Sequence, residues 1–402
     1  MKRKKFDIVP LGALLEDTPR NGYSPVCPEL PTGKWVLGLS ALDGRGLDLS
    51  EPKPAPANDP LVDKFMLRPG DFLISRSNTF DKVGRVGVFR GGLENCSYPD
   101  LMMRFRPDCK KVNPLYLETY LKSDAAIKFI RQHATGTSGS MKKINQATVE
   151  SIPVVVPSIS EQASIATVLL EWYEAIQKTE QLIAAKERHY SHDLSRLIGR
   201  GQHPHAHVGA FAKEVSARNR GGNEARVLSV TNSRGFVLPE DQFERRVASA
   251  DLSNYKVVHR GQYAYNPSRI NVGSIARLDG WDDGVLSPMY VVFRLNEDKA
   301  NSDYFLHWLN SHEARQRIKN SAQGSVRETV SFSEFAAITI PLPALHTQTA
   351  IARYLNALRA EIDLLSQSVT ALKTQKRGLM QKLLTGQWRL TASVPQSHPG
   401  NR

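Results

Sequence analysis

Two hydrophobic rhythms run through this chain. Between residues 344 and 386, Ile351, Leu355, Leu358, Ile362, Leu365, Val369, Leu372, Leu379 and Leu383 recur at alternating steps of four and three, interrupted where Lys376 takes one slot. A stripe that narrow is the seam of paired helices, not the broader face a globular helix buries. Between 158 and 199, Leu169, Ile176, Ile183, Tyr190 and Leu197 recur at sevens. Their companion column opens with Ile165 and Trp172 and turns polar at Thr179, Lys186 and Asp193. Pro157 and Pro343 stop the preceding strands, Ser160 is the expected N-cap of the first helix, and Gly199 and Thr385-Gly386 close the two helices. Helices of roughly 35 residues would be about 50 Å long. The first leaves one globular part and the second must return, so the pair is expected to run antiparallel; the other reading is two separate amphipathic helices, each covering its own sheet.

Elsewhere the apolar runs are short and separated by Gly, Asn, Ser and Pro, as in "VGRVGVFRGG" and "MYVVFRL", the pattern of α+β units with a substantial sheet. Tyr116, Tyr120 and Leu121 mark one side of a helix. These segments occur twice in the same order. "WVLGLSAL" (35–42) matches "RVLSVTNS" (226–233), and "RPGDFLISRS" (68–77) matches "HRGQYAYNPS" (259–268). "YLETYLKS" (116–123) matches "YFLHWLNS" (304–311), "ATGTS" (134–138) matches "AQGSV" (322–326), and "IPVVVPSISEQASIA" (152–166) matches "ITIPLPALHTQTAIA" (338–352). The offset drifts only from 191 to 186, so the chain is a tandem duplication. The expected fold is α+β: two similar domains, 1–157 and 209–343, alternating with long coiled-coil helices at 158–199 and 344–386, in a pseudo-twofold repeat. A linker at 200–208 and a basic, polar tail at 387–402 complete it.

Charge narrows the function. Lys and Arg number 53 against 40 Asp and Glu, a net charge of +13, which favours a polyanionic partner such as nucleic acid. Cys27, Cys96 and Cys109 are too scattered for a zinc ribbon or a redox pair and form no disulfide framework. The basic start "MKRKKFDIVP" has no apolar stretch behind it and no run is long enough to span a bilayer, so the cytoplasm is the expected compartment, with no membrane partner.

Signs of catalysis are few. Asn266-Pro267-Ser268-Arg269 resembles the Asn-Pro-Pro-aromatic corner of adenine methyltransferases but lacks the second proline and the aromatic. "DGRG" (43–46) does not extend to a dinucleotide-binding loop, no P-loop, HExxH or GxSxG is present, and Pro107-Asp108 lacks the Glu-x-Lys that would complete a nuclease site. His203, His205 and His207 alternate without Cys or acidic neighbours, which favours a solvated linker over a metal site. The expectation is a chain with no catalytic residue, no metal and no cofactor of its own.

Binding residues are more legible. "SRSNTFDKVGRVGV" (75–88) and "NPSRINVGSIA" (266–276) each follow a strand and mix Ser, Asn and Arg with glycine. Arginine pairs with guanine and asparagine with adenine in the major groove. The candidate contacts are therefore Arg76, Ser77, Asn78 and Arg85 in the first unit and Ser233, Arg234, Ser268, Arg269 and Asn271 in the second, with Gly84 and Gly273 permitting close approach of the backbone. Ser138, Lys142 and Lys143 in "TGTSGSMKK", and Ser325 and Arg327 in "QGSVRE", read as phosphate clamps. Framework positions agree between the copies while these loops differ, so two unlike readers would recognise an asymmetric target in two parts with a fixed spacer.

Taken end to end, the chain resembles the specificity subunits of type I restriction-modification enzymes. The resemblance is carried by the repeat order, by "IPLPALHTQTAIARYL" and "LMQKLLTGQWRL" at the two ends of the second helix, and by "VLSVTNSRGFV". It implies target-recognition domains that contact double-stranded DNA and long helices that dock two modification (adenine-N6 methyltransferase) subunits, with restriction/translocase subunits completing the complex. S-adenosylmethionine, ATP and Mg2+ are then expected on those partners. Two other readings stand beside it: the targeting subunit of a type II-like system with methylase and nuclease on one partner chain, and a two-headed scaffold that binds no DNA.

Overall fold

The computed structural model describes residues 6–136, 141–199, 203–222, 224, 226–241, 251–322 and 329–390. The chain divides into two compact units, Met1–Lys178 with Val369–Arg402, and Thr179–Ser368, so each unit holds a stretch of both long helices.

The first unit is built on an antiparallel sheet in the order Arg20–Asn21, Met102–Phe105, Phe72–Ser75, Val86–Val88. Its central register sets Phe72 against Phe105, and the two rings lie 5.3 Å apart in the core. A second, three-stranded sheet places Trp35–Val36 between Lys53–Pro54 and Cys96–Ser97. Helices Pro114–Leu121 and Asp124–His133 cover the core, with Tyr116, Tyr120 and Leu121 buried. A ribbon of Asp7–Pro10 with Pro153–Val156 leads into the first long helix, Ile159–Leu194. The three cysteines are free thiols, and burial pushes that of Cys96 up to about 12.

The second unit repeats this plan. Its sheet runs Ala212–Val215, Val291–Leu295, Tyr263–Tyr265, Ile275–Arg277, and Tyr263 pairs with Phe293 where the first unit pairs Phe72 with Phe105. The parallel pairing of Trp35 with Cys96 returns as a bridge between Val227 and Val285. The ribbon returns as His205–His207 with Thr339–Pro341. The expected linker is thus partly a paired strand: His205 and His207 lie on it and are exposed, with His207 Nδ1 at the Ala337 carbonyl (2.8 Å), and His203 beside it has Nε2 at the Leu197 carbonyl (2.9 Å).

The duplicated "EQASIA" and "TQTAIA" motifs have a structural meaning. Gln162 is fully buried: its Oε1 accepts from the Asn113 backbone N–H at 2.8 Å and its Nε2 donates to the Pro157 carbonyl at 2.9 Å. Gln348 does the same for Asn301 and Pro343, both at 2.8 Å. Asn113 and Asn301 in turn cap the helices Pro114–Leu121 and Ser302–Leu309. One glutamine per copy thus ties the start of a long helix to the globular part, and its burial is tolerated because both ends of the amide are hydrogen-bonded.

In both units the long helices run antiparallel. In the first, Ile165, Ala166 and Leu169 share a cluster with Leu383 and Leu384, Glu161 pairs with Arg389 at 2.7 Å, and Lys376 stands 4.9 Å from the centre of the Tyr173 ring. The lysine that interrupts the seam is thereby held in a cation–π contact, and burial lowers its pKa. In the second, Leu194 shares a cluster with Ile351 and Leu355, against which Tyr190 and Leu358 also pack. Lys186 pairs with Glu361 at 2.7 Å and Tyr354 donates to Asp193 at 2.5 Å, which accounts for the polar column in the later part of the first helix. Trp172, Ile176, Ile183, Leu197, Ile362, Leu365, Val369, Leu372 and Leu379 are all buried or half-buried, while Glu361, Asp363, Leu364 and Gln367 between them are exposed.

One helix-end expectation is corrected. The helix begins one residue before Ser160, and the Ser158 hydroxyl accepts from the Glu161 N–H at 3.4 Å, so Ser158 stands at the cap and Ser160 in the first turn. At the other end a π-turn, Ser195–Gly199, carries the chain out. Gly386 does end the second helix in the left-handed region, at φ 71°.

Candidate nucleic-acid interface

In the second unit the loop from Asn266 to Ser274 joins strands Tyr263–Tyr265 and Ile275–Arg277, and its own side chains build it. Asn266 Oδ1 accepts from the Ser268 N–H at 3.0 Å, its carbonyl accepts from the Arg269 N–H at 2.9 Å, and its N–H donates to the Ser274 carbonyl at 3.1 Å. A 3-10 turn, Ile270–Val272, follows, with Ile270 buried against helix His312–Ala322. Gly273, at φ 95°, lets the chain turn back. The buried Ser274 hydroxyl donates to the Val230 carbonyl at 2.8 Å, bolting the loop to the hairpin Ser229–Thr231/Gly235–Val237.

That bolt gathers the candidates of this unit. Ser233 and Arg234 sit exposed in the hairpin turn, which Thr231 Oγ1 holds by accepting from the Arg234 N–H at 3.0 Å. Ser268 and Arg269 are exposed on the adjoining loop. Asn271 is half-buried, and its Oδ1 has no hydrogen-bond partner among the described residues. The Val330 N–H donates to the Pro267 carbonyl at 3.1 Å, which brings the segment beyond 323–328 to the same loop. Ser325 and Arg327 lie outside the described residues, as does Ser138 in the first unit.

The first unit departs from expectation. Ser77 and Asn78 are 1% and 7% exposed and form a two-residue strand paired with Lys142–Lys143. Asn78 Nδ2 donates to Ser75 Oγ at 3.3 Å, and its Oδ1 accepts from the Thr79 N–H at 2.9 Å. Both serve the turn, so neither side chain is offered to a base edge. Arg85 is half-buried and reaches the Leu42 carbonyl at 3.4 Å, beside Gly44. Gly84 is explained by packing: at φ 80°, a Cβ there would lie 2.4 Å from Ile130 Cγ2. What this face does present is Arg76, half-exposed with Nη1 on the Asp100 carbonyl at 3.3 Å, and Lys143, exposed. Lys142 Nζ tethers the glycine-rich loop through the Gly136 carbonyl at 2.5 Å.

Sequence reasoning passed over the apolar side chains on these loops. Phe80 is 55% exposed and Val272 60% exposed, with Met141 and Met289 exposed nearby in sequence or space; Met289 Sδ lies 4.0 Å from Asn266 Nδ2. Phe80 forms one wall of a groove of about 420 Å3 with Asp124, Ile127, Lys128, Arg131 and Gln132. The Arg131 guanidinium lies 5.5 Å from the centre of the Phe80 ring and donates to the Asp81 carbonyl at 2.8 Å.

Comparison with known proteins gives these surfaces a family. The type I restriction modification DNA specificity domain matches residues 60–187 and again 267–374, more than half the chain and once per repeat. The chain belongs to this family. A specificity subunit of the type I restriction enzyme MjaX from Methanocaldococcus jannaschii is 22% identical over 355 residues, covering 82% of this chain and 81% of that protein. The EcoKI specificity subunit of Escherichia coli is 26% identical over 242 residues, 59% of this chain and 49% of its own length. Among solved structures, the S subunit of a type I restriction-modification system from M. genitalium matches with a TM-score of 0.59 at 14% identity, over 96% of this chain and 97% of the other. A chain from a study of type I complex assembly and conformational transition matches at 0.58, also at 14% identity. At that identity the structural matches speak for the fold. No helix among the described residues is long and apolar enough to cross a membrane.

Proposed function

We propose that this specificity subunit reads an asymmetric double-stranded DNA target in two parts, one per unit, and positions catalytic partners on it without performing chemistry itself. The observation that carries the reading is the contrast within the repeat. The sheet order, the capping asparagine and the buried glutamine are the same in both copies, while the exposed side chains on the matched loops differ. A duplicated frame with unlike faces suits a target whose halves are unlike.

In the second unit Arg269, Ser268, Ser233 and Arg234 supply donors suited to base edges and phosphates, while the Asn271 Oδ1 is buried and is not presented. In the first, Arg76 and Lys143 remain for that role. The partners are two modification subunits, docked on the long helices, and restriction/translocase subunits. S-adenosylmethionine, ATP and Mg2+ belong to those partners.

The test has two arms. Deleting the gene from its host should erase adenine methylation at one split motif and leave the remaining methylome intact. Binding of the purified chain to that motif should weaken steeply with salt, with a log–log slope near −0.9 for each phosphate contacted. An unchanged methylome with a flat salt response overturns the reading in favour of a protein scaffold. Recovery of one partner chain bearing both methylase and nuclease would instead assign the subunit to a type II-like system.

A further inference from the structure

We infer that Phe80 and Val272 are the thymine sensors of the two units, each setting an apolar side chain against the C5-methyl group of a thymine in the half-site its unit reads. The inference rests on the DNA-reading function proposed above and specifies one contact in each half.

Both residues occupy the same place in the repeat. Phe80 lies in the loop between strands Phe72–Ser75 and Val86–Val88, and Val272 in the loop between Tyr263–Tyr265 and Ile275–Arg277. The two loops share little sequence, yet both keep a large apolar side chain more than half exposed. Neither is needed to anchor its loop, because each loop already buries another apolar residue: Val83 at 3% exposure and Ile270 at 2%. An apolar group left outside a turn that has its own anchor loses free energy in water, and covering it by a partner restores that loss.

The loops are also rigidly built. Thr79 O accepts from the N–H groups of Lys82 (3.0 Å) and Val83 (2.9 Å), Arg131 clamps Asp81, and the Val272 N–H donates to the Arg269 carbonyl at 3.2 Å. The surroundings carry a positive surplus: Lys82, Lys128 and Arg131 outnumber Asp81 and Asp124 around Phe80, and Arg269 accompanies Val272. In the major groove the methyl of thymine is the one apolar feature of a base edge, and only an apolar side chain reads it by attraction.

The experiment replaces thymine by uracil, which removes the methyl and leaves every hydrogen-bonding group in place. The full chain, with its modification subunits, is titrated with its target duplex and with duplexes carrying uracil at one thymine at a time. Wild-type protein should lose about fourfold in affinity at one thymine in each half-site, the effect of withdrawing one methyl from an apolar contact. Val272→Ser should abolish the difference in the second unit's half-site and keep it in the first, and Phe80→Ser the reverse, so each variant is its own folding control. Wild-type indifference to uracil at every position overturns the inference, as does a thymine preference that survives in both variants or a half-site without thymine. Equal binding of target and scrambled duplex by the wild-type protein would instead bring down the DNA-reading function itself.

Discussion

Arg269 and Asn78 were equivalent candidates by residue type, and their surroundings separate them. Arg269 is exposed on a braced loop, whereas Asn78 is buried with both ends of its amide engaged. Arg269→Ala should therefore relax specificity in one half-site by about 1–3 kcal/mol with unchanged thermal stability. Asn78→Ala should lower stability by about 1–2 kcal/mol through the stranded Thr79 N–H and Ser75 hydroxyl, and leave relative affinities among target variants unchanged. Melting curves paired with a binding series on single-base variants check both. The residue types of the binding surface could be read from the sequence, but not which of them turn inward. A Ser-Asn pair beside a strand can form either a turn or a contact, and the choice falls to its pairing with Lys142–Lys143, more than sixty residues away. The apolar members of the surface were hidden for the opposite reason, since a Phe or Val is expected in the core until its anchor is located elsewhere.

At the scale of elements, a polar chain in the second unit joins the sheet to both long helices. Arg277, on the strand that leaves the candidate loop, donates to Asp303 at 2.7 Å, and Asp303 accepts from Asn356 of the second long helix at 2.9 Å. Asn356 Oδ1 lies 2.8 Å from His307 Nε2, and His307 Nδ1 lies 2.8 Å from the Tyr190 hydroxyl on the first long helix. A neutral ring with its proton on Nε2 satisfies every link: Tyr190 donates to Nδ1, and Nε2–H donates to Asn356. Burial holds the His307 pKa below the ordinary 6.5, against the partial opposition of Asn356 and Asp303. The unfolded chain then binds a proton that the folded chain refuses. The stabilisation is complete above pH 6.5 and is lost as the pH falls from there through the folded-state value. Chemical denaturation of wild-type protein and His307→Gln across pH 5 to 8 should show a fall toward acid that the variant lacks at this position. The helices themselves were legible as a four-three stripe, because a seam imposes its period on the sequence. This network was not, because its members are single residues on four elements.

On the scale of the whole chain, duplication was the most readable feature, and the repeated sheet order and the repeated glutamine tie account for why those segments stayed alike. The two units are nevertheless built unequally from the chain. The second is one continuous stretch, Thr179–Ser368, and the first is assembled from two, Met1–Lys178 and Val369–Arg402. Leu379, Met380, Leu383 and Leu384 from the later stretch pack on the first unit's core beside Leu169, and Phe6 lies against Gly386 and Arg389. A chain cut after Ser368 should keep the cooperative melting transition of the second unit and lose or broaden that of the first, as calorimetry of the truncated and intact proteins would reveal.

The same arrangement gives the molecule a direction in time. As the chain emerges from the ribosome, the unit begun second is the first to hold all its parts, while the unit begun first waits with an open flank for the final helical turns to arrive. A nascent chain interrupted before Val369 would carry one finished unit and one unfinished one, so under the proposed two-part reading it would recognise one half of the target and not the other.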